Sequence, residues 1–305
     1  MNATPESRLP EGITLRPATH DDYDDVVAFT TDTWGEDSDY IPRVYHDWLE
    51  GERKRTLVAD AGDAIAGIAQ AVMLSSYEGW AQGMRVNPDF RGQGIGMAIT
   101  YALFRWAREQ GATVVRNMVF SWNQAGLGQS RAVGFDPVTE FRWLQPDPTG
   151  EMPETVRTDV DAAWAFWTAS NARNHLRGLV LDMDETWAMR DLTREMLTRA
   201  ADETALLTVV ADKTEGFAYR VRTFDRENDA GESERWAEYG VGAWATLESA
   251  ETLLSGIAAD AAACGANRTR VLIPETARTV SDGAYLRANP SEEPDFVLAA
   301  DVSGY

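Results

Sequence analysis

The run Arg91-Gly92-Gln93-Gly94-Ile95-Gly96 constrains this chain more than any other segment. It follows a strand-like stretch, Met84-Arg85-Val86-Asn87-Pro88, and opens a helix-like one from Met97 to Glu109. The start of a helix leaves backbone N–H groups without intrahelical partners, and the positive end of the helix dipole lies there. Glycine removes the side chains that would keep a phosphate away from those groups. The segment therefore predicts a strand–loop–helix unit with a diphosphate-bearing ligand at its turn.

Three phosphate-loop patterns can be tested against the spacing. A dinucleotide fingerprint, G-x-G-x-x-G, requires glycine where Met97 stands, and it belongs in a parallel βαβ unit; the segments upstream look instead like hairpin strands. A P-loop requires G-K-[ST], and no lysine lies nearby. The pattern [QR]-x-x-G-x-[GA] is filled by Arg91, Gly94 and Gly96. A plain glycine-rich turn between strand and helix is the competing reading of the run in isolation.

Downstream stand Asn123-Gln124-Ala125-Gly126-Leu127 and then Gly134-Phe135. With Val86-Asn87-Pro88-Asp89-Phe90 before the loop, these two signatures resemble the GNAT N-acetyltransferase superfamily over roughly residues 13–145. The spacing from Asn123 to Gly134 fits that family without a gap. The resemblance implies an α/β fold with a mixed, mostly antiparallel sheet, its fourth and fifth strands splayed apart and flanked by helices. It also implies acetyl-CoA as co-substrate and an amine as acceptor.

Composition narrows the alternatives. The chain has 305 residues, enough for one large or two ordinary domains. Asp and Glu number 49 against 28 Lys and Arg, a formal charge of −21, and Lys54 and Lys213 are the two lysines. Such a balance fits either an acidic face for a cationic partner or a surface kept hydrated in a high-salt cytoplasm. The spread of acids through both halves and the scarcity of lysine favour salt adaptation. Nucleic-acid binding, which relies on cations neutralising phosphates, is disfavoured. No apolar run reaches the roughly 18–20 residues of a membrane span, and Met1 to Gly12 lacks the pattern of a secretory signal, so a cytoplasmic location is expected. Cys264 is a single cysteine, and His20, His46 and His175 are scattered, so no metal site is expected.

Alternation predicts a first strand at residues 13–18, then a helix carrying Val26, Val27 and Phe29, and a short helix near residues 45–49. Strands follow near residues 55–61, 64–75, 79–86 and 114–120. Ile95, Ile99, Ala102, Leu103 and Trp106 form a helical core stripe. Pro146, Pro148 and Pro153 mark a linker, dividing the chain into residues 1–145, a linker at 146–155, and residues 156–305. The second half repeats the order of elements, with helices near 159–178 and 186–202. Strands are expected near 204–212, 216–224 and 235–244, then a helix, then strands near 269–273 and 296–302. Trp80-Ala81-Gln82 lines up with Trp236-Ala237-Glu238, and Gly111-Ala112 with Gly265-Ala266. A tandem duplication explains this order. In the second copy Ala245, Glu248 and Ala250 replace Arg91, Gly94 and Gly96. A carboxylate at Glu248 would repel a diphosphate, so this copy is expected to be degenerate.

The resemblance assigns roles. Backbone N–H groups of Arg91, Gly92, Gly94, Gly96 and Met97 would hold the diphosphate. The strand edge at Met84 and Val86 would pair with the pantetheine amides, with the Met84 N–H polarising the thioester carbonyl. Asn123 would contact the pantetheine arm, cap a helix, or do both. Two positions depart from the family. Ser130 stands where many members carry a tyrosine that protonates the thiolate; it is either a proton relay or a helix-surface serine. Trp80 stands where some members carry a basic glutamate; Glu78 and Gln82 share its strand face, and Glu78 is the candidate general base. Acids in Glu36-Asp37-Ser38-Asp39-Tyr40 are a second candidate for holding a cationic substrate. The expected function is N-acetylation of a small-molecule or peptide amine by a monomer or homodimer, with no nucleic-acid or membrane partner. The alternative is a non-catalytic acyl-CoA-binding or scaffold protein.

Overall fold

A computed structural model describes residues 9–31, 33, 39–228 and 231–305. In chain order the first half carries β1 (Thr14–Pro17), α1 (Tyr23–Thr30), α2 (Ile41–Trp48), β2 (Lys54–Asp60), β3 (Ile65–Met73), β4 (Glu78–Val86), α3 (Ile95–Glu109), β5 (Val114–Phe120), α4 (Gln124–Ala132) and β6 (Asp136–Leu144). The second half carries β7 (Val156–Arg157), α5 (Val160–Ala169), α6 (Asn171–His175), β8 (Leu179–Leu181), β9 (Met189–Asp191), α7 (Arg194–Glu203), β10 (Ala205–Val210), β11 (Thr214–Glu227), β12 (Ser233–Trp244), α8 (Leu247–Ala263), β13 (Arg268–Pro274), α9 (Ala277–Tyr285) and β14 (Asp295–Asp301). The fold is mixed α/β, with mostly antiparallel strand pairs, as expected.

Two compact units emerge. One comprises Met1–Val119, Asn123–Pro137 and Leu298–Tyr305; the other comprises Phe120–Trp122 and Val138–Val297. This partition departs from cuts at residues 145 and 156. In the second unit Phe141 to Leu144 pair with Pro274 to Val271 of β13. In the first, Val302 N–H donates to the Thr113 carbonyl at 3.0 Å, and the Tyr305 ring lies 6.0 Å from Tyr101 and 5.4 Å from Phe104. Strand pairing and aromatic packing, which chain order does not announce, set the boundaries.

In the first unit β1, β2, β3 and β4 form an antiparallel run. β3 is buried along all nine residues, as a central strand covered on both faces should be. Helix α3 crosses back so that β5 runs parallel to β4. Ile95, Ile99, Leu103 and Trp106 are buried along one stripe of α3, while Ala102 is half-buried. The helix closes on Gly111, whose left-handed φ of 102° lets Ala112 N–H reach the Ala107 carbonyl at 2.9 Å.

In the second unit β10, β11 and β12 are antiparallel, and α8 leads to β13, parallel to β12. Helix α8 closes in the same way on Gly265, with Ala266 N–H to the Ala261 carbonyl at 2.9 Å. The helix expected over 159–178 is broken at Ser170, whose extended backbone and side chain cap α6. The helix expected from 186 begins only at Arg194. Before it lies the β8–β9 hairpin, because Asp182 Oδ1 accepts from the N–H groups of Asp184 and Glu185 and turns the chain there.

Candidate functional site

The β4–β5 ladder is short: Glu78 faces Val114, Gly79 faces Val115 and Trp80 faces Arg116. Beyond that point β4 continues to Val86 and β5 to Phe120 without register partners across the gap, so the expected splay is present. The opposite edge of β4 carries a bulge. Gln82 pairs with Gln70 and Arg85 with Ile68, leaving Gly83 and Met84 without a registered partner on β3. Gly83 takes φ 65°, the left-handed conformation of a glycine bulge. A Cβ there would lie 2.0 Å from Cη2 of Trp48. Gly83 was not singled out from the sequence, because its need for glycine comes from a tryptophan on another element.

A buried polar chain backs the bulge. Gln82 Nε2 donates to Gln70 Oε1 at 2.8 Å, and Gln70 Nε2 donates to the Trp48 carbonyl and to Thr56 Oγ1, each at 2.9 Å. Gln70 is fully buried. Pairing its groups this way avoids the cost of an unsatisfied buried amide.

β4 exits through Asn87, whose Oδ1 accepts from Asp89 N–H at 3.1 Å and whose Nδ2 donates to the Ile65 carbonyl at 3.2 Å. The chain then makes a single 3-10 turn, Pro88–Phe90, and enters the glycine loop. Gly92 and Gly94 have φ of 76° and 80°, and a Cβ on either would meet nothing within 4 Å. The loop is therefore open on the side that side chains would occupy. The first intrahelical bond runs from Ala98 N–H to the Gly94 carbonyl, so the N–H groups of Ile95, Gly96 and Met97 precede it. Arg91 N–H is different: it closes the 3-10 turn on the Pro88 carbonyl at 3.3 Å. Arg91 Nε lies 3.4 Å from the Val86 carbonyl. Of the five N–H groups expected at a diphosphate, Arg91's is already engaged.

Asn123 is the cap of α4, accepting from Gly126 N–H at 2.9 Å. Ser130, inside α4, is buried, and its Oγ accepts from Asn117 Nδ2 of β5 at 2.9 Å. It is not the surface serine that was one of its two readings. The Oδ1 of Asn117 is buried without a hydrogen-bond partner.

The candidate base sits less openly than its strand position suggests. Glu78 is fully buried; Arg116 Nη1 donates to Oε1 at 2.7 Å, and Ser75 Oγ donates to Oε2 at 2.8 Å. Both oxygens are engaged at the head of the β4–β5 ladder. Asp39 is likewise committed: it accepts from Arg85 Nε at 2.6 Å and from Ile41 N–H at 2.9 Å. Its expected role in holding a cationic substrate is therefore taken by Arg85. Glu36, Asp37 and Ser38 of the same segment lie outside the described residues.

The second unit is built differently at the matching places. Thr246 caps α8 by accepting from Ser249 N–H at 3.1 Å, and Glu248 stands in the first turn. Strand register sets Glu238 opposite Arg270, as Trp80 stands opposite Arg116. The correspondence is thus shifted by two residues from the one that sequence suggests. Glu238 is 1% exposed, with Arg270 Nε at 2.5 Å and Arg222 Nε at 3.3 Å. These are ion-pair distances between fully charged groups. The Arg270 guanidinium lies 4.5 Å from the Trp187 ring centre, 4.9 Å from Phe224 and 5.0 Å from Trp143. Burial pushes the Arg270 pKa down while Glu238 opposes the shift. Glu238 thus serves a buried ion cluster rather than an open base position.

Residues 21–135 match the family model described as the Acetyltransferase (GNAT) family. The chain is 27% identical over 96 residues to a histidine N-acetyltransferase of Oreochromis niloticus, covering 31% of this chain and 28% of that protein. It is 29% identical over 123 residues to an L-methionine sulfoximine/L-methionine sulfone acetyltransferase of Pseudomonas aeruginosa, covering 37% of this chain and 70% of that protein. Among solved structures, a GCN5-related N-acetyltransferase from Sphaerobacter thermophilus aligns with TM-score 0.59 at 18% identity, over 96% of this chain and 97% of that one. A putative acetyltransferase from Thermoplasma acidophilum aligns with TM-score 0.56 at 16% identity, over 94% and 99%. These structural likenesses concern the fold.

Proposed function

Residues 21–135 belong to the acetyltransferase (GNAT) family, and from that premise we propose that the protein moves an acetyl group from acetyl-CoA to the amine of a small molecule of the free amino-acid type. Acetyl-CoA supplies an activated acyl group on a thiolate leaving group. The observation that carries the reading is the start of α3: Gly92 and Gly94 in left-handed conformation, open to one side, with the N–H groups of Gly96 and Met97 in the first turn. This cradle fits a diphosphate through backbone donors and the helix dipole. The Arg91 side chain adds positive charge nearby. Met84, which has no registered partner on β3 beside the Gly83 bulge, would present its N–H to polarise a carbonyl, and the β4 edge at Val86 would pair with an amide-bearing arm. Asn123 fixes the start of α4 beside that arm.

The names of two relatives support this acceptor class. One is named for histidine and another for methionine sulfoximine and sulfone, all small molecules with an α-amine. The assay is acetyl-CoA turnover in high-salt buffer against a panel of free amino acids, their sulfoximine and sulfone analogues, and short peptides, with products identified by mass. Turnover of peptides but no free amino acid would discard the acceptor class and keep the chemistry.

One observation favours a second reading, that of an acyl-CoA-binding protein without turnover: both oxygens of Glu78 are engaged. If Glu78 is nonetheless the base, it must exchange a partner when substrate binds. Glu78→Gln then loses most of the rate, by roughly 10²-fold or more. Saturable acetyl-CoA binding with no turnover of any amine would establish the second reading.

The second unit is inferred to hold no acetyl-CoA. Its α8 start is closed by its own Thr246 cap and carries a carboxylate at Glu248 where the first unit has an open glycine.

A further inference from the structure

A cleft of about 520 Å³ opens in the second unit between the ends of β12 and β13. The register of these strands stops at Tyr239 and Val271. Past that point Ala243 and Trp244 of β12 and Pro274 of β13 make a buried floor, and Phe166 of α5 makes a wall. Both rings are held in place. Trp244 Nε1 donates to Asp282 Oδ2 at 2.9 Å, and Phe166 meets Phe217 edge-on at 6.2 Å. Small-molecule sites commonly have volumes of about 300–1,000 Å³, with an apolar lining and a few placed polar groups. Acetyl transfer in the first unit gives this cleft no task.

Its charge runs against that of the chain. Asp and Glu outnumber Lys and Arg by 49 to 28 over the sequence, yet no Asp or Glu stands among the described residues that line the cleft, whereas Lys213 and Arg278 do. The nearby carboxylates are turned elsewhere. Glu275 lies between the lining residues Pro274 and Thr276, but it pairs with Arg142 at 2.5 and 2.9 Å. Asp282 holds the Trp244 indole and stays 3.9 Å from Arg278 Nε; Glu215 stays 3.7 Å from Lys213 Nζ. Both gaps are too long for a hydrogen bond. Three lining hydroxyls are spent within the fold. Thr279 Oγ1 donates to the Pro274 carbonyl at 2.6 Å, Thr276 Oγ1 accepts from Thr279 N–H at 3.1 Å, and Ser170 Oγ donates to the Trp167 carbonyl at 2.9 Å. Arg278 Nη2 donates to the Ala245 carbonyl at 2.5 Å, which fixes the guanidinium at the end of β12. An incoming molecule thus meets an apolar floor below an exposed ammonium and an exposed guanidinium.

We propose that this cleft binds a small organic carboxylate with an apolar body and no ammonium group. Its carboxylate accepts from Lys213 and Arg278, and its body covers the Phe166 and Trp244 rings. Coenzyme A matches poorly, because its diphosphate would face Glu248 at an α8 start already capped by Thr246. A free amino acid also matches poorly, since its ammonium finds no carboxylate in the lining. The proposal is independent of acetyl transfer and stands even if the first unit binds no acetyl-CoA.

Hydrocinnamate, its amide and phenylpropylammonium carry one ring with a negative, neutral or positive head, so they separate charge recognition from apolar burial. Dissociation constants come from ligand-observed NMR on the full chain, in the lowest salt that keeps it folded, because salt screens exposed charge. Hydrocinnamate should bind about tenfold tighter than the amide, and the ammonium should bind weakest, each charge contact at the rim giving a factor of about three to five. Lys213→Gln should weaken hydrocinnamate by about that factor and leave the amide unchanged, while Lys213→Arg keeps the preference. Ala169→Phe places a ring in the cleft from an exposed lining position and should abolish binding of both. Both altered positions are exposed, so the fold should tolerate the changes. Three probes that bind alike or not at all, a Lys213→Gln effect shared by the amide, or unchanged hydrocinnamate binding in Ala169→Phe would each overturn the proposal.

Discussion

Replacing Gly83 by alanine tests whether the β4 bulge is fixed by its contact with Trp48. The added Cβ would lie 2.0, 2.6 and 3.2 Å from Cη2, Cζ3 and Cζ2 of the indole. Ordinary contact begins near 3.4 Å, so the ring must withdraw by about 1.4 Å. It has little room: Trp48 is 5% exposed and belongs to a cluster with Val26, Ile41, Tyr45, Val58, Ile65 and Ile68. Overpacking of this kind costs about 1–3 kcal/mol. The left-handed backbone at φ 65° adds about 1–2 kcal/mol for a residue with a Cβ. Loss of unfolded-state freedom returns about 0.4–1 kcal/mol. The net expectation is a loss of about 2–4 kcal/mol, measured by urea unfolding in high-salt buffer. The clashing atoms all belong to the six-membered ring of the indole, so Trp48→Phe removes the obstruction and also opens a cavity. The double variant should then lose at least about 1 kcal/mol less than the sum of the two single changes. A Gly83→Ala protein within about 1 kcal/mol of wild type would refute the steric argument, as would strict additivity with Trp48→Phe.

Other outcomes follow from buried charge. Burial pushes the Asp295 carboxyl up to about 6, against a hydrogen bond from Trp143 Nε1 at 3.2 Å that pulls it down. Because the folded pKa is above the unfolded one, the folded state holds the extra proton between about pH 4 and 6, and this contribution to stability is lost as pH rises through that window. Asp295→Asn should therefore gain stability relative to wild type as pH rises from about 4 to 7, by up to about 2–3 kcal/mol in paired unfolding curves; a constant difference across that range would exclude the raised pKa. Asp22 behaves in the opposite sense. Its hydrogen bonds from the Arg16 guanidinium, at 2.8 and 2.6 Å, hold its pKa down, so its contribution is present above the unfolded value and fades as pH falls. Asp22→Asn should flatten the acid limb of the stability profile, and an unchanged limb would assign it to other carboxylates. Asp39→Ala should cost about 3 kcal/mol by removing the buried carboxylate of the Asp39–Arg85 ion pair, with Asp39→Ala/Arg85→Met recovering part of that loss in thermal unfolding.

What the sequence disclosed was local. The glycine loop was legible because a helix start after a strand dictates residue types over six positions, and Gly92 and Gly94 take the backbone that only glycine adopts freely. The stripe of α3 was legible because helical spacing repeats over neighbouring residues. What escaped depended on partners distant in sequence. Gly83 needs glycine because of Trp48, Asp39 is taken by Arg85, and Ser130 is tied to Asn117 across the gap between two elements. β9 was read as helix because the turn that leads into it is set by Asp182 side-chain bonds, not by a glycine or proline. The two-residue shift between Trp236 and Glu238 arose because matching tryptophans outweighed strand register, which only the ladder with β13 reveals.

The central claim is that Arg91 to Gly96 forms a cofactor cradle and that the second unit has none. Calorimetric titration of acetyl-CoA into the protein in high-salt buffer tests it most directly, with Gly94→Glu as the control. A Cβ at Gly94 meets nothing within 4 Å, so the fold should tolerate the change apart from about 1–2 kcal/mol of backbone strain. The account predicts one saturable site per chain in the wild type and none in the variant. Two sites per chain, no site, or an unchanged affinity in Gly94→Glu would contradict it.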